Sequence, residues 1–258
     1  MRARVRLLQA LFLLTLLLGW ELSVRAGWVD AFFFSKPSDI ALRILDWFRS
    51  GEIYEHLWVT LVETLLAFVI GTVLGVVMGL WLALMPTASA VFDPFIKAMN
   101  SIPRVILAPI FTLWFGLGVA SKVALGVTLV FFVAFFNTYQ GIKEVDPVVL
   151  ANARMLGASG RQLLYHVYLP SAASWIFSSL RTSIGFAVIG AVVGEYMGAA
   201  KGLGYLISQA EGVFDTTGVF AGMVVLAAFV VFLDWVVSRA ESRLLVWRPA
   251  PGREGGTV

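Results

Sequence analysis

The sequence predicts an all-α protein, a polytopic membrane protein of six transmembrane helices with a cytoplasmic helix-turn-helix elbow. Of its 258 residues, 59% are hydrophobic and 14% are charged, whereas soluble domains average about 45–50% apolar and about 25% charged residues. Six apolar stretches are long enough to cross a bilayer, which takes roughly 17–25 residues. Between the fourth and fifth lies a basic segment with two sets of helix-capping residues.

The composition excludes several kinds of site. The chain has no cysteine, which rules out disulfides, thiol catalysis and cysteine-based zinc sites. Its two histidines, His56 and His166, are too few and too far apart for a histidine metal cluster. We therefore expect no metal site. We also expect no cofactor bound by this chain and no nucleic-acid partner.

The first predicted span runs from Val5 to about Leu22, within residues 1–25. Three arginines precede it: Arg2, Arg4 and Arg6. Together with the stretch Val24-Arg25-Ala26, they resemble the start and the cleavage site of a signal peptide. A polytopic chain can instead retain such a helix as a signal anchor, and we favour retention.

A polar outer segment, residues 26–56, follows the first span. Within it the stretch PSDIALRILDWFRSG predicts an amphipathic helix in the membrane interface, with Ser38 as its N-cap and Gly51 as its stop. Four apolar residues fall at helical spacing and define its apolar face: Ile40, Ile44, Leu45 and Phe48. Charged residues define the opposite face: Asp39, Arg43 and Asp46.

The other five spans and the elbow form a core, residues 57–238. The predicted spans are about 57–85, 102–118, 122–141, 172–197 and 218–237. A break is predicted from Pro86 to Ile96, and Pro103 and Pro109 interrupt the third span. Residues 239–258 form a basic tail with four arginines: Arg239, Arg243, Arg248 and Arg253.

Glycine recurs at four-residue spacing in two spans, which lets a neighbouring helix approach closely. The two ladders are Gly71, Gly75 and Gly79, and Gly190, Gly194 and Gly198. We interpret both as helix-packing surfaces rather than as walls of a pathway.

The distribution of basic residues predicts the orientation. If the N-terminus is cytoplasmic, the inner segments hold about twice as many lysines and arginines as the outer ones, in agreement with the positive-inside rule. Both termini and the elbow are then cytoplasmic.

Local capping signals predict two short helices in the elbow, residues 146–170. Asp146-Pro147 supplies an N-cap followed by proline at the first helical position, and Gly157 is a left-handed stop. Ser159 and Gln162 form a capping box for the second helix. That helix is expected to end before Pro170, because proline disfavours helix at the residue before it.

Four charged residues fall in or near the predicted spans: Glu63, Arg181, Glu195 and Asp234. Such residues are functional candidates by default. The two glutamates are expected near the outer mouth and Asp234 near the inner boundary. Only Arg181 is deep enough to meet a substrate anion, and it is alternatively paired with an acidic residue or directed towards the inner surface.

The elbow resembles a signature of the permease subunits of ABC importers. That signature has Glu-Ala-Ala, three residues, Gly, nine residues, an aliphatic residue, one residue and Leu-Pro. Here Ala151-Asn152-Ala153, Gly157, Val167, Leu169 and Pro170 fall at those spacings, with Ala151 in place of Glu and Asn152 in place of Ala.

The wider chain, from about Leu57 to Val237, resembles the branch of these permeases that serves sulfonates, taurine, nitrate and related solutes. The stretches SIPRVILAPIFTLWFGLG, FFNTYQGIKEVDP and VVGEYMGAAKGLGYLI carry that resemblance. The same branch includes uptake of vitamin-like compounds such as riboflavin or thiamine precursors, which remains an alternative.

The resemblance implies a non-catalytic subunit in the bacterial inner membrane. Two permeases, as a homodimer in the simpler case, form the path. Two cytoplasmic ATPases use ATP beneath them, and a solute-binding protein docks outside. The residues implied to couple to the ATPase are Ala151, Ala153, Arg154, Gly157, Ala158, Val167, Leu169 and Pro170.

The main alternative of another class is a secondary transporter. It would also have glycine-rich spans, but it should show internal repeats and interrupted helices around a midplane site. No convincing repeat is found. The sequence also lacks the phosphate-loop pattern G-x-x-x-x-G-K-[ST], so ATP hydrolysis is expected on a separate chain.

Overall fold

The computed structural model describes the backbone of residues 2–244 and the side chains of residues 4–239. Within those residues every regular element is helical, which confirms the all-α prediction. Of the predicted basic tail, the side chains beyond Arg239 lie outside the described residues.

Twelve α-helices follow one another in the described part of the chain. They are α1 Arg2–Arg25, α2 Ala31–Phe34, α3 Pro37–Ser50, α4 Glu52–Leu84, α5 Pro86–Ser101, α6 Ala108–Phe115, α7 Val119–Lys143, α8 Pro147–Met155, α9 Gly160–Leu163, α10 Leu169–Met197, α11 Leu203–Gly212 and α12 Thr216–Leu244. A 3₁₀ turn, Arg104–Leu107, precedes α6, and a π turn, Leu164–Tyr168, joins α9 to α10.

Among the described residues, five helices are long and apolar enough to cross a membrane: α1, α4, α7, the continuous run from α9 through α10, and α12. A sixth crossing requires counting one bent pair as a span. That pair consists of Pro86–Ser101 and Arg104–Phe115, which meet at 85°. The predicted six spans thus correspond to five straight helices and one bent pair.

The third span is where the sequence prediction was wrong in detail. The expected break from Pro86 to Ile96 is helical, because Pro86 occupies the first turn of α5, where its missing N–H leaves no bond unmade. The expected span at 102–118, which Pro103 and Pro109 were predicted to interrupt, is instead a 3₁₀ turn followed by eight residues of α6. Pro103 lies at the bend between the two helices.

Helix α3 also differs from its prediction. Lys36, not Ser38, is its N-cap, and Pro37 stands at the first helical position. The buried side chains are Ile40 and Trp47, whereas Leu45 and Phe48 are exposed. Gly51 ends the helix in the left-handed conformation, as predicted.

Helix α3 is held by side chains from other parts of the chain. The Glu21 carboxylate of α1 accepts hydrogen bonds from the amide and hydroxyl of Ser38, at 3.0 and 2.9 Å. Arg43 pairs with Asp215 at 2.5 Å. A side chain expected on the solvent face therefore holds α3 against the start of α12.

The chain forms two compact units. The first comprises Met1–Ala67, Arg104–Leu125 and Val188–Phe229; the second comprises Phe68–Pro103, Gly126–Ala187 and Val230–Val258. In the first unit α11 is largely buried, through Leu203, Leu206, Ile207 and Ala210. In the second, buried residues of α7 and α10 provide the core.

Candidate functional site

The first elbow helix has the caps that its sequence predicts. The Asp146 side chain accepts a hydrogen bond from the Val148 amide at 2.7 Å, and Pro147 begins α8. Gly157 has a φ of 83°. The Gly157 amide donates a hydrogen bond to the Arg154 carbonyl at 3.0 Å, and the chain turns at this residue.

The second elbow helix begins with the predicted capping box. The Ser159 amide donates to Gln162 Oε1 at 2.8 Å, and the Gln162 amide donates to Ser159 Oγ at 3.4 Å. These two reciprocal bonds cap the start of α9.

The expected stop before Pro170 is wrong, because the helix continues through that residue into α10. The π turn Leu164–Tyr168 lies immediately before it, and the Leu169 amide bonds to the Leu164 carbonyl. This wider turn shifts the hydrogen-bond register by one residue. The missing N–H of Pro170 then falls where the α-helical ladder is already interrupted.

The tip of the elbow is apolar and exposed. Met155 is 82% exposed and Leu156 is 88% exposed, the highest value among the large apolar side chains described. Val148 on the same helix is also exposed. Exposed apolar side chains on a segment that ends in polar caps indicate a contact surface.

A concavity of about 330 Å³ lies between the two elbow helices. Its lining residues are Ala153, Leu156, Gly157, Ala158, Gln162, Leu163, His166 and Val167. Small residues form one wall and the exposed Leu156 forms its rim, so a side chain of a partner has room to enter.

The structure brings four of the eight predicted coupling residues together in this concavity: Ala153, Gly157, Ala158 and Val167. Ala151 and Arg154 are exposed on α8. Leu169 and Pro170 lie in the first turn of α10, with Pro170 exposed. A role of these residues towards an ATPase remains a prediction.

The root of the elbow is firmly held. Ile142, just before α8, packs with Ala83 of α4 and Ala172 of α10 in a buried cluster. A Cβ on Gly141 would lie 2.9 Å from the Cβ of Trp175. Residues that flank both ends of the elbow are therefore anchored in one apolar cluster shared by α4, α7 and α10.

The first predicted glycine ladder lies against α7. A Cβ on Gly75 would lie 2.5 Å from the Phe131 carbonyl oxygen, and one on Gly79 would lie 2.8 Å from that of Phe135. Gly71 lies similarly close to Val130. Only glycine allows these two backbones to come so near.

The second ladder meets different neighbours. A Cβ on Gly194 would lie 2.9 Å from Lys122 Cγ, and one on Gly198 would lie 2.9 Å from Leu117 Cδ2. Gly190 is buried. Gly194 therefore makes room for the side chain of a buried lysine, a contact that was not predicted.

Arg181 has the acidic partner that sequence analysis gave as its alternative. Its Nε lies 3.8 Å from Asp234 Oδ1, with both side chains 54% exposed, and its guanidinium also bonds to the Ser238 hydroxyl. A role of Arg181 towards a substrate remains a prediction.

Sequence analysis missed a buried polar cluster in the first unit, defined by His56, Thr60, Glu63, Lys122 and Glu195. Each of these side chains is 8% exposed or less. The two glutamates, expected near the outer mouth, are 2% and 1% exposed. Charged residues inside apolar helices could have indicated this cluster. The residues that they contact lie far away in the sequence, so the cluster itself could not be predicted.

Residues 71–246 match the protein family described as binding-protein-dependent transport system inner membrane component. The chain is 34% identical over 238 residues to the formylaminopyrimidine transport permease protein ThiX of Halalkalibacterium halodurans, covering 92% of this chain and 94% of that one.

Two further relatives carry other substrate names. The riboflavin transport system permease protein RibX of Chloroflexus aurantiacus is 35% identical over 91% of this chain and 88% of its own length. The putative aliphatic sulfonates transport permease protein SsuC of Bacillus subtilis is 32% identical over 89% of this chain and 83% of its own.

The fold itself is similar to that of a solved transporter chain. A chain of the MetNI methionine ABC transporter, solved in inward-facing conformations, superposes with a TM-score of 0.64 over 76% of this chain and 95% of that one. The two are 20% identical, so this likeness bears on the fold alone.

Proposed function

The chain belongs to the family of binding-protein-dependent transport system inner membrane components, and we propose that it forms the membrane path through which an ATP-driven importer takes up a small solute. It is an ABC transporter permease and a non-catalytic subunit. ATP hydrolysis is expected on a separate cytoplasmic ATPase, and a solute-binding protein is expected to deliver the solute from outside.

The elbow is the observation that carries this proposal. Its tip exposes Met155 and Leu156 almost completely, and a concavity of about 330 Å³ lies behind them. Its root is anchored by Ile142 and Ala172. We infer that an ATPase surface covers the tip and that its movement is transmitted through the root to the spans.

A small anion such as a sulfonate, taurine or nitrate is the favoured solute. The name of the Bacillus subtilis relative supports this proposal. A vitamin or its precursor is the second candidate, which the names of the formylaminopyrimidine and riboflavin relatives favour. Uptake of a labelled sulfonate against labelled riboflavin, by the purified assembly in proteoliposomes, decides between them.

The proposed location is the bacterial inner membrane, with both termini and the elbow on the cytoplasmic side. The excess of lysine and arginine in the corresponding segments supports this orientation. A second copy of the chain is the simplest partner across the path, because closed two-fold assemblies are the commonest.

The proposal is tested by asking whether an ATPase subunit co-purifies with the tagged chain from native membranes. We expect the ATPase to be lost with Gly157→Pro, because proline cannot adopt the φ of 83° found there. Leu156→Asp should have the same effect, since it puts a charge on the exposed tip without touching the core.

Gly160→Ala is the matched control, because an added Cβ there meets nothing within 4 Å. All variants must insert in the membrane as the wild type does. If no ATPase accompanies the wild type in mild detergent, or if Leu156→Asp retains it fully, the elbow is not the docking site.

A further inference from the structure

The end of α1 holds an exposed tryptophan in a fixed position. Gly27, just past the helix, has a φ of 74°. Its amide donates to the Val24 carbonyl at 3.1 Å, and the Trp28 amide donates to the Ser23 carbonyl at 3.0 Å. This pair of hydrogen bonds is a Schellman motif. It holds Trp28, which is 85% exposed, directly against the last turn of α1.

Helix α1 faces lipid and places Trp28 at the level of the headgroups. Its 24 residues rise about 36 Å at 1.5 Å per residue, and the hydrocarbon core is about 30 Å thick. The ends of α1 therefore pass just beyond the core. The large apolar side chains between residues 7 and 18 are each at least 40% exposed, so lipid covers most of the helix.

Helix α2 lies at the same membrane level, because it is joined to the start of a second span. The Thr216 hydroxyl at the first residue of α12 donates to the Phe32 carbonyl of α2. The rings of Trp20 and Phe220 meet edge to face at 5.4 Å, which brings the end of α1 to the start of α12. The exposed segments next to these two helix ends therefore share one surface.

The backbone is strained at this place. Within residues 2–244, the two non-glycine residues with a positive φ are Ser35, at 51°, and Phe214, at 56°. Ser35 ends α2, and its hydroxyl is hydrogen-bonded to that of Thr217 at 2.7 Å. Phe214 stands in the turn before α12. A positive φ is unfavourable for residues with a side chain, and such strain persists where the surrounding structure or a function requires it.

Burial within the chain does not offset the strain at Phe214. Its side chain is 77% exposed, and that of Val213 beside it is 71% exposed. Glycine adopts such a φ without a steric penalty, yet this position carries a large aromatic residue. An exposed ring held out on a strained backbone indicates a contact outside the chain.

Four rings form this surface, which we call the aromatic anchor: Trp28, Phe32, Phe33 and Phe214. Phe32 and Phe33 are each more than half exposed, and their rings contact each other at 5.0 Å. Tryptophan is enriched at the headgroup level of membrane proteins, and phenylalanine and tryptophan form the inserted face of segments that lie in the interface. The anchor also continues the lipid-facing surface of α1, which favours lipid over a protein as its partner.

We propose that the aromatic anchor inserts into the headgroup layer and that its partner is phospholipid. It holds α2 and the turn before α12 at the membrane surface. The headgroup layer is hydrated, so thiols placed there stay open to water-soluble reagents. The anchor does not depend on the proposed transport function or on which face is cytoplasmic, since it requires only that α1 and α12 cross the membrane.

The test measures the depth of two positions in the full-length protein. The natural chain has no cysteine, so Phe33→Cys and Phe214→Cys can each carry one fluorophore in phosphatidylcholine nanodiscs. Three quenchers are compared: a lipid spin-labelled near the headgroup, a lipid spin-labelled near the end of its acyl chain, and iodide in the water. Both fluorophores should be quenched several-fold more by the first lipid than by the second, and less by iodide than a fluorophore at the elbow tip.

Two matched positions calibrate the measurement. Met155→Cys, also apolar and 82% exposed, should be quenched mainly by iodide. Leu13→Cys, exposed at the middle of α1, should be quenched most by the deep lipid label. Each anchor variant tests the proposal by itself, so one suffices if the other does not fold.

Three results would overturn the proposal. A fluorophore at Phe33→Cys or Phe214→Cys that responds like the one at Met155→Cys lies in water. One that responds like the fluorophore at Leu13→Cys lies in the hydrocarbon core. Protection from all three quenchers would show that protein, such as a second copy of the chain, covers the surface.

Discussion

At the scale of single residues, Asp215 has two structural roles. Its Oδ1 accepts a hydrogen bond from the Gly218 amide at 3.0 Å and so caps the start of α12. Its Oδ2 pairs with Arg43 of α3. The side chains of Asp215 and Arg43 are 28% and 38% exposed, so solvent weakens the ion pair, and the cap is the larger contribution.

We therefore expect Asp215→Ala to destabilise the protein more than Arg43→Gln does. Loss of a helix cap typically costs about 1 kcal/mol, whereas a partly exposed ion pair contributes roughly 0–1 kcal/mol. Thermal unfolding in detergent measures the loss of stability in each variant. Asp39→Ala, which removes only the pair with Lys36, is the control, and equal effects of Asp215→Ala and Arg43→Gln would contradict the capping role.

Sequence reasoning succeeded at this scale where partners are close in the chain. Asp146 and the pair Ser159–Gln162 bond to groups two or three residues away, and such contacts follow from short motifs. Glu21 caps α3 from 17 residues away, and Thr60 meets Glu195 across 135. No local pattern distinguishes these carboxylates from ordinary charged residues at the ends of spans.

At the scale of elements, glycine determines how closely α4 and α7 approach. The ladder was visible in the sequence because its spacing follows the helical period. The helix that packs against the ladder could not be predicted, because glycine spacing indicates a close neighbour without identifying it. The structure supplies α7, whose carbonyls at Phe131 and Phe135 face Gly75 and Gly79.

Gly75→Ala should force α4 and α7 apart, because the added methyl would lie 2.5 Å from a backbone oxygen that cannot move alone. Overpacking of this kind costs about 1–3 kcal/mol. The measurement is the unfolding midpoint of the purified protein in detergent. Gly185→Ala in α10, where nothing lies within 4 Å of the added methyl, should match the wild type or exceed it.

The bent pair α5–α6 shows what hydropathy cannot specify. Apolar length predicts how many spans a chain has, and the predicted six agrees with the structure when this pair counts as one. Hydropathy carries no information about direction, so the 85° bend was not predicted. The prolines were noticed, but Pro86 and Pro109 stand in first helical turns, where they begin helices instead of breaking them.

At the scale of the whole molecule, the contacts between helix ends in each unit indicate the direction in which each span runs. In the first unit, Lys122 near the start of α7 contacts Gly198 after the end of α10, and Thr60 in the early turns of α4 contacts Glu195. In the second unit, Ala83, Ile142 and Ala172 join the end of α4, the end of α7 and the start of α10. Helices α4 and α7 therefore run in the same direction and α10 runs in the opposite one, which requires the bent pair between α4 and α7 to return the chain across the membrane.

This connectivity and the proposed orientation make a labelling prediction. The natural chain has no cysteine, so single-cysteine variants need no prior substitution. In intact cells, a membrane-impermeant thiol reagent should label Trp28→Cys and Phe214→Cys, which replace side chains 85% and 77% exposed. Met155→Cys, at the elbow tip, should be labelled only after the inner face is opened.

Glu63→Cys supplies the control for burial, because a thiol at a side chain 2% exposed should react on neither side until the protein is unfolded. Labelling of Met155→Cys in intact cells would show that the proposed orientation is reversed. The elbow would then lie outside, where no cytoplasmic ATPase can reach it. Labelling of Trp28→Cys and Phe214→Cys from opposite sides would instead contradict the crossing pattern, because the α2 backbone is hydrogen-bonded to Thr216 at the start of α12 and the two positions must share one face.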